Sequence, residues 1–123
     1  MDPIWQNDRC YLEIEPSEIP WFKLFTQTPY KEMSDVPPEI RFELFERLDA
    51  IERAMREYFQ PDKINLASFG NQLPRVHWHI MARFTTDSFF PEPMWGKRQR
   101  NATLDLPPLA PFTQRLVTVM ESL

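Results

Sequence analysis

Glycine, cysteine and histidine are all scarce in this chain of 123 residues, which has two glycines, one cysteine and two histidines against thirteen prolines. A single cysteine excludes a disulfide within the chain and suits a protein of the reducing cytoplasm. The shortage of glycine beside so many prolines predicts stiff, defined loops rather than flexible linkers.

Long apolar runs and an excess of positive charge are missing as well. No segment approaches the roughly 18 consecutive apolar residues that a membrane span requires, and residues 1–5 lack the basic and apolar regions of a secretion signal. The formal charge of −4 argues against a stable nucleic-acid complex, because such binding depends on neutralising phosphates. We therefore expect a cytoplasmic protein without a membrane partner, although a local basic patch could hold a small phosphate ligand.

The composition and the order of elements predict a single α+β domain over residues 1–123. Hydrophobic residues make up 42% of the chain, and a chain of this size can bury about two-thirds of its unfolded surface. A pair of strands, a helix and a second pair of strands, in this order, predict an antiparallel sheet. The predicted strands are 9–14, 21–26, 63–69 and 75–84, the helices run from about 37 to 59 and over 112–123, and residues 85–111 form a long Pro-rich loop.

The long helix has one apolar stripe, and its charged residues are interpreted as the solvent-exposed face. Glu43 and Arg47 belong to that charged set. The aromatic residues of this helix are interpreted as core or dimer packing, and they are Phe42, Phe45, Tyr58 and Phe59.

The two histidines, His77 and His79, are one residue apart in a segment with strict alternation of apolar and polar residues. Side chains at i and i+2 of a strand point to the same face, so both imidazoles are predicted to lie side by side. The alternate residues face the core in this prediction, and they are Val76, Trp78, Ile80, Ala82 and Phe84. The same parity places Arg75 and Arg83 on the histidine face.

Three interpretations of the histidine pair follow from the residues alone. Both could be satisfied polar residues on a half-exposed sheet. They could share a metal, but zinc normally needs further protein ligands, and no ligand spacing points to one. A neutral imidazole could also attack phosphorus and form a covalent phosphoramidate, with Arg75 and Arg83 holding phosphate oxygens and lowering the imidazole pKa values.

The stretch from Gly70 to Arg83 resembles the signature of the histidine triad (HIT) superfamily, in which three histidines alternate with apolar residues. Asn71 and Pro74 match its preceding Asn-x-x-Pro turn, and the segment 91–96, Pro-Glu-Pro-Met-Trp-Gly, resembles a loop found after the motif in bacterial members. The resemblance covers most of the chain. It implies an antiparallel sheet with one long helix and a C-terminal helix, paired into a homodimer.

The resemblance also implies an activity and a role for each matching residue. Members hydrolyse dinucleoside polyphosphates, such as diadenosine tetraphosphate, or nucleoside phosphoramidates through a nucleotidyl-histidine at the α-phosphate. Carried over, His77 is the nucleophile, His79 assists at the phosphate and leaving group, and Asn71 contacts the nucleotide or the site backbone. Arg75 and Arg83 are the candidate phosphate-binding residues. The implied chemistry needs no metal and no cofactor, although magnesium could accompany a polyphosphate substrate.

The chain departs from the family pattern at the first motif histidine, which is Arg75 here. An arginine cannot accept a hydrogen bond, so its side chain cannot perform any role that needs an acceptor. A further histidine common on an earlier strand is also absent, because Trp21-Phe22-Lys23 stands there. A nucleotide-binding or interaction module with little or no catalysis is therefore the alternative function.

Overall fold

The computed structural model describes residues 2–123 and contains one five-stranded antiparallel sheet with two helices. The strands are β1 (Trp5–Gln6), β2 (Cys10–Ile14), β3 (Trp21–Thr26), β4 (Lys63–Ala67) and β5 (His77–Arg83), and their order in the sheet is β1-β2-β3-β5-β4. The helices are α1 (Pro38–Phe59) and α2 (Leu109–Glu121), and a short 3₁₀ turn covers Met33–Asp35. The prediction of an α+β fold with an antiparallel sheet is confirmed.

The histidine strand β5 lies inside the sheet, between β3 and β4. Its even-numbered residues face the core as the alternation predicts, and Ile80 and Ala82 are fully buried. The odd-numbered face is covered too, because His77, His79, Met81 and Arg83 are all at most 9% exposed. A strand that is buried on both faces positions its side chains more rigidly than a half-exposed strand would.

Helix α1 packs its apolar stripe against the core face of the sheet. Proline fits the first helical turn because the missing N–H has no partner there, and Pro38 begins this helix. The helix ends at Gln60, which adopts a left-handed conformation with φ of 51°. The stripe residues Leu44, Leu48, Ile51 and Met55 are at most 1% exposed. Because α1 covers the core face of the sheet, the opposite face is the one that remains for a binding site.

The aromatic residues of α1 divide between the core and the surface. Phe59 packs in the core and Tyr58 against it, whereas Phe42 and Phe45 are 69% and 48% exposed. Packing of these two phenylalanines against a second copy of the chain stays a prediction. Among residues 2–123, no helix is both long and apolar enough to cross a membrane.

Several element ends differ from the prediction, and strand β1 was not predicted. Strand β2 begins at Cys10 rather than at residue 9, and β4 ends at Ala67 rather than at residue 69. Helix α2 begins at Leu109 rather than at residue 112, because Pro111 falls in the first turn, where proline is tolerated. Strand β5 begins at His77 rather than at residue 75. The amide of Arg75 donates to the carbonyl of Leu73 at 2.8 Å, and that of Val76 donates to the carbonyl of Tyr30 at 2.7 Å. Residues 73–76 are therefore held outside the sheet hydrogen bonding.

The prediction that Glu43 and Arg47 lie on the exposed face of α1 is wrong. Arg47 is 3% exposed, and its guanidinium donates to Glu43 at 2.8 Å and to the carbonyl of Met120 at 3.0 Å. The guanidinium also lies 4.2 Å from the centre of the Trp5 ring. Glu43 accepts further hydrogen bonds from Asn7 and Arg9. This cluster joins the N-terminal hairpin, α1 and α2.

Glu43 makes the stability of the fold depend on pH. Burial alone would raise the pKa of this carboxyl, but hydrogen bonds from Arg9, Asn7 and Arg47 outweigh burial and lower its pKa from 4.5 to about 2. Because the pKa is lower in the folded state, the stabilisation is complete above about pH 4.5 and is lost as the pH falls towards 2.

We expect the Glu43→Gln variant to unfold about 1–3 kcal/mol more easily at pH 7, because charge-assisted hydrogen bonds to a partly buried group are lost. Its free energy of unfolding should also vary less between pH 4.5 and pH 2, as measured by urea denaturation. Glu46→Gln, at an exposed position of the same helix, is the matched control and should behave as the native protein does. Equal effects of the two substitutions would contradict the assigned role of Glu43.

Candidate functional site

The side chains of both histidines line one pocket of about 510 Å³ on the sheet face opposite α1. Strand β3 supplies Trp21, Lys23 and Phe25 to its wall, and β5 supplies His77 and His79. The remaining lining comes from Glu15, from the turn at residues 69–73 and from Trp95 of the long loop. The prediction that the two imidazoles share a surface is confirmed by this arrangement.

The sheet register explains the position of each ring. Phe25 pairs with His77 and also with Tyr11, so three rings form a row across β2, β3 and β5. The Phe25 ring stacks on His77 with centres 5.0 Å apart and an interplanar angle of 14°. Lys23 pairs with His79 in the next row, and Glu13 pairs with Lys23. Cross-strand pairing thus holds each imidazole against a fixed neighbour.

The tautomer of His77 is set by the main chain. Its Nδ1 lies 2.8 Å from the carbonyl oxygen of Arg75. A carbonyl only accepts hydrogen bonds, so Nδ1 carries the proton. In the neutral ring, Nε2 then holds the lone pair. His77 therefore has the form that a nitrogen nucleophile requires.

The tautomer of His79 is the opposite one. The indole Nε1–H of Trp21 donates to Nδ1 of His79 at 3.0 Å. An indole N–H only donates, so Nδ1 holds the lone pair and the proton is on Nε2. Burial first, then the neighbouring His77 and Lys23, lower the pKa of His79 from 6.5 to about 4, while Glu15 acts in the opposite direction. The ring is therefore neutral at pH 7.

Together the two rings present one lone pair and one N–H donor to the same pocket. Their centres are 5.0 Å apart, and their planes make an angle of 65°. A nucleophile beside a fixed hydrogen-bond donor is the arrangement that phosphoryl or acyl transfer needs, because the donor can stabilise charge on the oxygen under attack.

Asn71 lies at the rim of the pocket, as part of the turn before β5. Gly70 begins this turn with φ of 81°, a left-handed backbone conformation that residues with a Cβ rarely adopt. The turn leaves Asn71 exposed beside the cavity. Its predicted contact with a nucleotide stays a prediction.

Arg75 does not line the pocket, although its side chain lies on the same sheet face as His77. It precedes β5, so it takes no part in the sheet hydrogen bonding. Its guanidinium instead donates to the main-chain carbonyls of Thr26 and Gln27, and it lies over the rings of Tyr11 and Phe25. The side chain of Arg75 thus fastens the end of β3 to the turn before β5.

Arg83 is on the predicted face of β5 but is not available to a phosphate. It is 2% exposed, and its guanidinium donates to Asp87 at 2.9 and 3.1 Å, to Asn65 at 2.9 Å and to the carbonyl of Glu92 at 2.7 Å. The sequence showed the arginine but not its carboxylate partner in the loop. The prediction that Arg83 binds phosphate is therefore corrected to a structural role.

The pair of Arg83 and Asp87 shapes the loop that closes the pocket. Burial alone would raise the pKa of Asp87, but hydrogen bonds from Arg83 and from the amides of Phe84, Phe89 and Phe90 lower it. The loop then brings Trp95 to His79, with ring centres 4.8 Å apart.

Sequence reasoning missed two features of this site. The bond between Trp21 and His79 joins residues 58 apart in the chain, and only the strand register reveals it. The ring of Trp95 contacts His79, Trp21 and Phe69 at the pocket wall, and no local sequence pattern predicts these contacts. Within residues 2–123, no group of three or more histidine, cysteine, aspartate and glutamate side chains could hold a metal ion.

Comparisons with known proteins agree with the geometry. The family model described as HIT domain matches residues 4–86. Among solved structures, the chain is similar to a histidine triad protein from Marinobacter aquaeolei VT8, with 26% identity, 99% of this chain and 90% of that chain covered, and a TM-score of 0.80. It is also similar to one from Bradyrhizobium japonicum, with 25% identity, 98% and 88% covered, and a TM-score of 0.75. No curated protein matches the chain.

Proposed function

Because this chain belongs to the family of HIT domain proteins, we propose that it binds a nucleotide and cleaves it at the α-phosphate through a covalent nucleotidyl-histidine on His77. The reaction is hydrolysis of a nucleoside phosphoramidate or of a dinucleoside polyphosphate. The side chains that carry it are His77 and His79.

The observation that supports this proposal is the bond from His77 Nδ1 to the main-chain oxygen of Arg75, 2.8 Å long. Every residue type has this carbonyl, so arginine at position 75 supplies the same acceptor as histidine would. Arginine at position 75 therefore departs from the family motif without removing the acceptor that orients the His77 ring. This removes the reason for preferring a binding module without catalysis.

The reaction divides into two displacements. His77 Nε2 attacks the α-phosphorus, the bond from phosphorus to the leaving group breaks, and the leaving group retains the electron pair and takes a proton from water. The Nε2–H of His79 donates to a phosphoryl oxygen. Water then attacks the phosphorus, the bond from phosphorus to Nε2 breaks, and the electron pair returns to the His77 ring. The proton of this water passes to the hydroxide that the first displacement left, and the nucleoside monophosphate is released. The carbonyl of Arg75 accepts from Nδ1 throughout and stabilises positive charge on the substituted imidazole.

The pocket walls suit the remaining parts of a nucleotide. The rings of Phe25, Phe69 and Trp95 offer apolar surface to a base or an apolar leaving group. Asn71 offers both a donor and acceptors at the rim for the sugar or the site backbone. The proposed chemistry requires no cofactor, and magnesium would enter only with a polyphosphate.

We expect the native protein to hydrolyse an adenosine phosphoramidate and His77→Ala to lose at least about 10²-fold in kcat, because the covalent route is removed. Release of adenosine monophosphate measured by chromatography checks this, with circular dichroism to confirm that the variant is folded. Equal turnover by both proteins would contradict the proposal. Calorimetric binding of adenosine monophosphate without any turnover would instead identify a nucleotide-binding module.

The charges around the pocket favour a substrate with few phosphates. Lys23 is the one lysine or arginine that lines the pocket within the described part of the chain, residues 2–123. Its ammonium is already paired with Glu15 at 2.9 Å and lies 3.8 Å from Glu13. The guanidiniums of Arg75 and Arg83 are engaged elsewhere. Little positive charge is left to neutralise a polyphosphate.

We therefore expect kcat/KM to be at least about tenfold higher for an adenosine phosphoramidate than for diadenosine tetraphosphate, a difference of about 1.4 kcal/mol. Glu15→Gln should narrow this ratio, because it releases Lys23 to bind phosphate oxygens. Steady-state kinetics with both substrates on both proteins measures the effect. A native preference for the tetraphosphate would overturn the charge argument while leaving the covalent route intact.

A further inference from the structure

The hydrogen bond from Trp21 to His79 is the one side-chain contact that determines where the His79 proton lies. The indole N–H meets Nδ1 at 3.0 Å, and the two rings are nearly perpendicular, at 65°. The register pairs Trp21 with Met81 and Lys23 with His79, so Trp21 reaches the imidazole diagonally across β3 and β5.

This bond stabilises only the neutral ring with its proton on Nε2. Protonation of Nδ1 would set an imidazole N–H against an indole N–H, and neither can accept. A hydrogen bond to the neutral form lowers the pKa of a histidine. Trp21 therefore opposes both the other tautomer and the charged state.

The charged and titratable groups that face His79 come from three elements. His77 lies beside it on β5, Lys23 faces it from β3, and Glu15 follows β2. His77 and Lys23 disfavour a positive charge on His79, and Glu15 favours it. The other neighbours, Phe69 and Trp95, do not titrate in the physiological range.

We propose that Trp21 is a positioning residue, which holds His79 as a neutral ring with its proton on Nε2. His79 then acts as a permanent hydrogen-bond donor towards a phosphoryl oxygen and does not change charge between about pH 5 and pH 8. The donor role rests on the proposed function, whereas the tautomer and its control by Trp21 do not.

Imidazole ¹⁵N chemical shifts of the free protein test this inference without a substrate. In the native protein, we expect His79 Nδ1 to be unprotonated and Nε2 to be protonated down to about pH 5. Trp21→Phe keeps an aromatic ring but removes the N–H. We expect it to raise the pKa of His79 by about 0.5–1 unit, which corresponds to the loss of one neutral hydrogen bond.

Trp95→Phe is the matched control for ring volume. Trp95 packs on the same imidazole at 4.8 Å between ring centres, and no hydrogen bond joins its indole to His79. In Trp95→Phe, we expect His79 to keep the native tautomer and the native pKa. Equal shifts in the two variants, or a native His79 with its proton on Nδ1, would overturn the role of Trp21.

The pH dependence of kcat separates this inference from the proposed function. If His79 must be neutral for turnover, the acidic limb of the kcat profile should move upward by the same 0.5–1 unit or so in Trp21→Phe. An unchanged acidic limb beside a shifted His79 pKa would refute the need for a neutral His79 during turnover. Native protein without turnover but with the expected ¹⁵N shifts would refute the proposed function alone.

Discussion

The interaction on which the site depends is the hydrogen bond from His77 Nδ1 to the carbonyl oxygen of Arg75. It exists because the chain leaves its turn only at His77, with the amides of Arg75 and Val76 bound to Leu73 and Tyr30 rather than to the sheet. A main-chain acceptor does not depend on the side chain that carries it. The site can therefore differ from the family motif at position 75 and still hold the Nδ1 proton of His77 on a fixed acceptor, which leaves Nε2 without a bond to the main chain.

Three arginines of this protein hold parts of the fold together. Arg47 joins both helices to the N-terminal hairpin, Arg75 ties β3 to the turn before the histidine strand, and Arg83 anchors the loop through Asp87. Each of these guanidiniums donates to carbonyl or carboxylate oxygens, which offsets the cost of its burial, although Nε of Arg75 has no partner. The consequence is a pocket with aromatic walls, two imidazoles and one lysine that is already paired with a carboxylate. This scarcity of free positive charge is the basis of the proposed preference for a substrate with few phosphates.

The sequence predicted best those features that depend on residues close together in the chain. The alternation in β5 predicted that His77 and His79 share a face, and the apolar stripe of α1 predicted its core contacts and its end near Phe59. It failed where a side chain depends on distant partners. The groups that bind Arg47 include Met120, 73 residues away, and the Trp21–His79 bond depends on strand register. Strand parity placed Arg75 on the correct face but not in the pocket, because the amides of residues 75 and 76 bind Leu73 and Tyr30 instead of joining the sheet.

The most direct test of this account is the ¹⁵N-determined tautomer of His77 in the native protein and in Arg75→Gln. Because the orienting group is the main-chain carbonyl, we expect the proton on Nδ1 and the lone pair on Nε2 in both proteins. A His77 with its proton on Nε2 in the native protein, or one that changes tautomer when only the side chain of residue 75 is replaced, would contradict the account.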